Sequence, residues 1–152
     1  MSVYGEAAAF QAGVLGLRVD RPPATLPATT AGALFTIVGR VAVTQIVGEV
    51  TTIIQTQANA TKLTANPTVG TAADICATLD ITADEVGTLY SITGTAATAM
   101  TGVSAGGVAG MAVQVVLQPG TLDLDCAATS TGAVRWTIFY VPLDEGASIV
   151  AA

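Results

Sequence analysis

From Leu34 onward, apolar and polar positions alternate with a period of two, the spacing of a strand with one buried face. Nine runs carry the pattern: Leu34 to Val38, Val41 to Val47, Glu49 to Gln57, Thr61 to Ala65, Asp74 to Thr82, Thr88 to Thr93, Met111 to Gln118, Thr121 to Ala127 and Val134 to Val141. Gly39-Arg40 and Gly48 separate the first three runs, and turn formers stand between the others: Asn66-Pro67, Val69-Gly70, Glu85-Val86-Gly87, Gly106-Gly107, Pro119-Gly120 and Thr131-Gly132. Short β-branched runs at this interval predict an all-β fold, an antiparallel β-sandwich or jelly roll. Threonine fits it, since a β-branched side chain with a hydroxyl suits a half-exposed pleated surface. The last run is the clearest. Val134, Trp136, Ile138 and Tyr140 share one face and are assigned to the core, while Arg135, Thr137, Phe139 and Val141 share the other. Phe139 and Val141 make that second face apolar enough to predict an oligomer interface. Ala96 to Gly110, rich in Gly, Ala and Thr, reads as a long loop.

The first 32 residues have a different texture. Ala7 to Leu17 allows a short helix weakened by Gly13 and Gly16, and Arg18 to Pro27 holds prolines at 22, 23 and 27. This predicts an extended N-terminal arm over residues 1–32, ahead of a β-sandwich domain over residues 33–152 that ends in a short C-terminal tail. The arm's apolar content predicts docking onto a partner, through Tyr4, Phe10 and Leu17, with Arg18 and Arg21 pairing to carboxylates at the rim.

Composition narrows the class. Of 152 residues, 51% are hydrophobic and 11% charged, too apolar for a disordered chain. No run reaches the roughly 18 consecutive apolar residues of a spanning helix, so no membrane partner is expected. The net charge is −6, and the five basic residues, Arg18, Arg21, Arg40, Lys62 and Arg135, are scattered along the chain, which argues against nucleic acid. The N-terminus lacks the basic start of a secretory signal, which predicts synthesis and maturation in a cytoplasm. For Cys76 and Cys126, a disulfide and two separate buried thiols both fit the sequence, and a reducing compartment favours the thiols.

Catalytic chemistry finds few carriers. There is no histidine, hence no Ser-His-Asp or Cys-His pair and no imidazole metal ligand. No phosphate-binding G-x-x-x-x-G-K-[ST] loop occurs. Lys62, the only lysine, fits a solvated strand position better than a Schiff-base nucleophile. The acidic residues Asp74, Asp80, Asp84, Glu85, Asp123 and Asp125 fall in two regions that a calcium ion would have to bring together, without EF-hand spacing. Solvated strand edges are their expected role, and no cofactor, metal site or catalytic residue is predicted.

The segment Leu34 to Leu143 resembles small virion proteins of tailed bacteriophages, of the head decoration, cement or head-fibre type. The stretches that carry the resemblance are GRVAVTQIVGEVTT (39–52), ANPTVG (65–70), ADICATLD (73–80), GTLYSITG (87–94), PGTLDLD (119–125) and TGAVRWTIFYVPL (131–143). The resemblance implies a β-rich homotrimer fastened to the major capsid protein on the outside of a DNA-filled shell, without catalysis. The expected function is therefore a non-enzymatic structural protein that decorates and reinforces the capsid exterior. The alternatives are a tail, baseplate or fibre component, or an adhesin, binding a host-surface ligand, and a small enzyme with a carboxylate or metal site.

Overall fold

A computed structural model describes residues 15–152. Twelve strands account for the regular structure: β1 (Leu17–Thr25), β2 (Ala31–Val38), β3 (Val41–Thr52), β4 (Ala60–Pro67), β5 (Ala73–Asp74), β6 (Leu79–Asp80), β7 (Leu89–Ser91), β8 (Thr101–Val103), β9 (Val115–Leu117), β10 (Gly120–Cys126), β11 (Ala133–Pro142) and β12 (Ser148–Ala151). They form two sheets, one in the order β1-β11-β3-β7-β8 with β9 also on β3, the other β12-β2-β10-β4-β5 with β6 also on β4. Every strand ladder is antiparallel. The architecture is the predicted antiparallel β-sandwich.

One apolar core fills the space between the sheets. Val41, Val43, Ile46, Val50, Tyr90, Val134, Trp136, Ile138 and Tyr140 enter it from the first sheet, and Phe35, Ile37, Leu63, Leu122, Leu124, Cys126 and Ile149 from the second. The inward face of β11 is thus the one its alternation predicts. Trp136 stacks on Tyr90 with ring centroids 6.3 Å apart, a geometry that adds to the area both rings bury. Register slips adjust the pleat, and two of them set the core. In β3 the register slips where Val43 pairs with Tyr140 and Gln45 with Phe139, leaving Thr44 as the extra residue. The slip lets Val41 and Val43 point inward ahead of it and Ile46 and Val50 after it. In β2 a similar slip opposite Leu122 and Asp123 leaves both Leu34 and Phe35 buried.

Several expectations need correction. The sandwich does not begin at residue 33. Leu17–Thr25, assigned to the arm, is a strand paired with β11, and Leu26 is buried in the core. Its prolines sit at 22 and 23 because β1 is an edge strand, where a residue without an N–H is tolerated, and the register slips between Arg21 and Ala24 around them. Tyr4 and Phe10, named as arm anchors, lie outside the described residues. Gly48 does not separate two strands. The runs on either side of it form the single strand β3, and Gly48 lies opposite Trp136, where a Cβ would come within 2.8 Å of the indole. The run Asp74 to Thr82 divides into β5 and β6, the loop Ala96 to Gly110 contains β8, and the C-terminal tail supplies β12 on β2.

Candidate functional site

A concavity lies on the outer face of the first sheet, where β1, β11 and β3 run side by side. Pairing sets Asp20 beside Thr137 and Thr137 beside Val47, and sets Arg135 opposite Glu49. Arg18 and Asp20 of β1, Thr137 and Arg135 of β11, and Val47 and Glu49 of β3 line a groove of about 570 Å³, closed at the sheet edge by Arg21, Pro22 and Pro23. Three of the chain's five basic residues therefore meet here. Their scatter along the sequence is undone by strand pairing.

Two of these arginines are held by carboxylates. Arg18 Nε lies 3.4 Å from Asp20 Oδ2, and the Thr137 hydroxyl donates to Asp20 Oδ1 at 2.8 Å. Arg135 donates from Nη2 and Nε to Glu49 Oε2 at 2.7 and 3.3 Å, and that hydrogen bond raises the guanidinium above its ordinary value. Arg21 differs. It pairs across the strands with Trp136, so its stem sits on the inward side of β1, at the open edge between the sheets. It also borders a cavity of about 30 Å³ among Leu26, Leu34, Leu124 and Trp136. Among the described residues its Nε is shut off from solvent without a hydrogen-bond partner, and none of the four ion pairs includes it.

Further along the same face the lining turns apolar. Val141 of β11 pairs with Ala42 of β3, and Ala42 with Val116 of β9. Val141 is 37% exposed and Val116 60%, with half-buried Phe139 beside them. Phe139 and Val141, the predicted interface residues, thus lie with Val116 on one apolar strip, exposed at Val141 and Val116 and half-buried at Phe139. The strip's third member, Val116, comes from the run Met111 to Gln118, which reads as a strand but gives no sign of which strand it joins. Leu17 and Arg18 are exposed on β1 within this region and not on a separate arm.

The acidic residues occupy separate settings. Asp74 takes Lys62 Nζ at 2.8 Å and the Thr64 hydroxyl at 3.0 Å. The hydrogen bond to Lys62 holds the Asp74 carboxyl below its ordinary range and lifts the lysine above its own. A Schiff-base lysine needs the opposite shift. Asp80 accepts the backbone N–H of Asn59 at 2.9 Å and closes a turn with Thr82, and Asp84 accepts the buried Tyr90 hydroxyl. Asp123, 6% exposed, accepts among the described residues only from Asn66 Nδ2, at 3.4 Å. Among the described residues no three acidic or cysteine side chains gather closely enough to hold a metal ion. Cys76 and Cys126 are buried free thiols, and desolvation pushes both up from their ordinary value. No helix among the described residues is long and apolar enough to cross a membrane.

No family model, no curated protein and no solved structure matches this chain.

Proposed function

We propose that the protein is a non-enzymatic structural component of a bacteriophage virion, a homotrimer that covers and reinforces the outside of the capsid by binding the major capsid protein. The reading rests on the resemblance of residues 34–143 to phage virion proteins. The observation that carries it is the apolar strip of Phe139, Val141 and Val116 on the outer face of a well-buried sheet. An exposed apolar strip on an ordered sheet calls for cover, which a second copy or a shell subunit supplies. We also read the strand order as a jelly roll. β1-β11-β3-β7 faces β2-β10-β4-β5, and the chain crosses between the sheets from β1 to β4 at each step and again from β9 to β12, while β4 to β6 and β7 to β9 each stay within one sheet. A jelly roll serves shells and sugar-binding domains alike, so the fold supports the reading without deciding it.

Sedimentation velocity across micromolar concentrations tests the assembly. A species near three times 15.1 kDa, dissociated by Val141→Asp, is the expected result. A stable monomer would remove the trimer. Quantitative composition of purified phage particles tests the location: hundreds of copies per particle are expected, and a handful would favour a tail component. That second reading, a tail, baseplate or fibre part that binds a host-surface ligand, is favoured by the arginine-lined groove.

A further inference from the structure

We propose that the groove on the outer face of the first sheet is a carboxylate-binding site with Arg21 as its recognising cation. The inference stands on the groove alone and does not depend on the virion reading. The argument is a balance of charge in one place. Arg18 and Arg135 are engaged by Asp20 and Glu49, so the groove holds three guanidinium groups against two carboxylates and is left one positive charge in excess. The surplus lies at Arg21, in a protein whose net charge is −6.

Among the described residues no carboxylate pairs with Arg21, although its side chain lines the groove. The guanidinium presents its donors in a planar fork that matches the two oxygens of a carboxylate. Packing of the stem at the sandwich edge beside Trp136 and the rigid Pro22-Pro23 pair limits its freedom, so little entropy is lost when a ligand binds. Asp20 and Glu49 set the selectivity. They tolerate one incoming negative charge against the single excess positive charge and repel a second, which favours a carboxylate over a phosphate dianion. The carboxylate has two sources, a free small acid or an Asp or Glu side chain on a peptide segment. A groove of about 570 Å³ is larger than a small acid fills, and Val47, Pro22 and Pro23 offer apolar wall for the neighbouring residues of a peptide.

The test is an NMR titration of the full-length ¹⁵N-labelled protein, following backbone amides of β1 and β11 and the arginine Nε–Hε signals, at ionic strength held constant with sodium chloride. The probes are sodium acetate, inorganic phosphate, the capped pentapeptide Ac-Ala-Ala-Glu-Ala-Ala-NH2 and its glutamine counterpart. Saturable shifts centred on Arg21 with acetate and the glutamate peptide, at least tenfold weaker with phosphate and with the glutamine peptide, are expected. Peptide binding at least tenfold tighter than acetate identifies a peptide source, and equal affinities identify a free acid. Arg21→Gln is expected to weaken binding at least tenfold and Arg21→Lys to weaken it less. Arg40→Gln, at the Asp144 ion pair elsewhere, leaves it unchanged. Unsaturable shifts, a preference for phosphate, or equal binding by folded Arg21→Gln would overturn the proposal.

Discussion

Replacing Gly48 with alanine tests the packing of the core around its indole. Gly48 lies in the interior of β3, directly across from Trp136 on β11. An added Cβ would sit 2.8 Å from Trp136 Cζ3, 2.9 Å from Cη2 and 3.0 Å from Cε3. The indole is 2% exposed and stacked on Tyr90, so it has little room to retreat. Two effects oppose each other. Alanine restricts the unfolded chain, which by itself stabilises the fold by about 0.4–1 kcal/mol at a compatible backbone. Overpacking a filled core is destabilising by about 1–3 kcal/mol. The clash wins, because the obstruction is a rigid ring and not the end of a flexible chain, and the net loss is about 1–2 kcal/mol. With a urea m-value of about 2 kcal/mol/M, the unfolding midpoint falls by roughly 0.5–1 M. Trp136 is the only tryptophan, so its fluorescence follows the transition and reports on the mutated contact. Gly107→Ala is the control: its Cβ meets nothing within 4 Å, and its midpoint holds or rises slightly. If Gly48→Ala, measured at the same protein concentration, keeps or raises the midpoint, the account of Gly48 as a seat for the indole is wrong.

Asn59→Ala is expected to lower stability by about 2–4 kcal/mol in urea titrations, because the buried Asn59 side chain donates to the Ala128 carbonyl and Ser130 and accepts from Ala128 N–H and Thr61. Stability is expected to hold between about pH 5 and 9 and to fall on both sides. Below that window the folded carboxyls of Asp74, Asp80 and Asp144, lowered by their hydrogen bonds, take up protons later than in the unfolded chain, so falling pH favours unfolding. Above it, the Tyr90 phenol, raised by burial and then by Asp84, stays protonated after its unfolded counterpart has ionised near 10, so rising pH favours unfolding. A thiol reagent is expected to label Cys76 and Cys126 only as the protein unfolds, and rapid labelling of either in native buffer would contradict their burial. Deleting residues 1–14 is expected to preserve the sheet spectrum in circular dichroism. Deleting 1–32 removes β1 and Leu26 and is expected to unfold the protein or sharply lower its midpoint.

Local alternation determined a good deal. The two faces of β11 were legible because its pleat is regular from Val134 to Tyr140, and each side chain's direction follows from its neighbour's. Phe139 and Val141 were legible as an apolar outer face for the same reason. Gly48 was misread because the sequence shows a missing side chain without showing what occupies its place. A glycine that ends a strand and one that admits an indole look the same until Trp136 arrives from 88 positions away. The edge strand β1 was misread because prolines 22 and 23 forbid only a central position, and the sequence does not say where a sheet ends.

The groove was decided by tertiary structure alone. Arg18 and Arg21 are more than a hundred positions from Arg135, and only the pairing of β1 with β11, and of β11 with β3, makes them neighbours of one another and of Glu49. Alternation fixes which face a side chain takes within its own strand, because that is covalent geometry. Which strands lie side by side depends on burying all the apolar faces at once, a property of the whole chain. The sequence of this protein therefore determined most of its long strands and much of its core, while folding decided which charges meet.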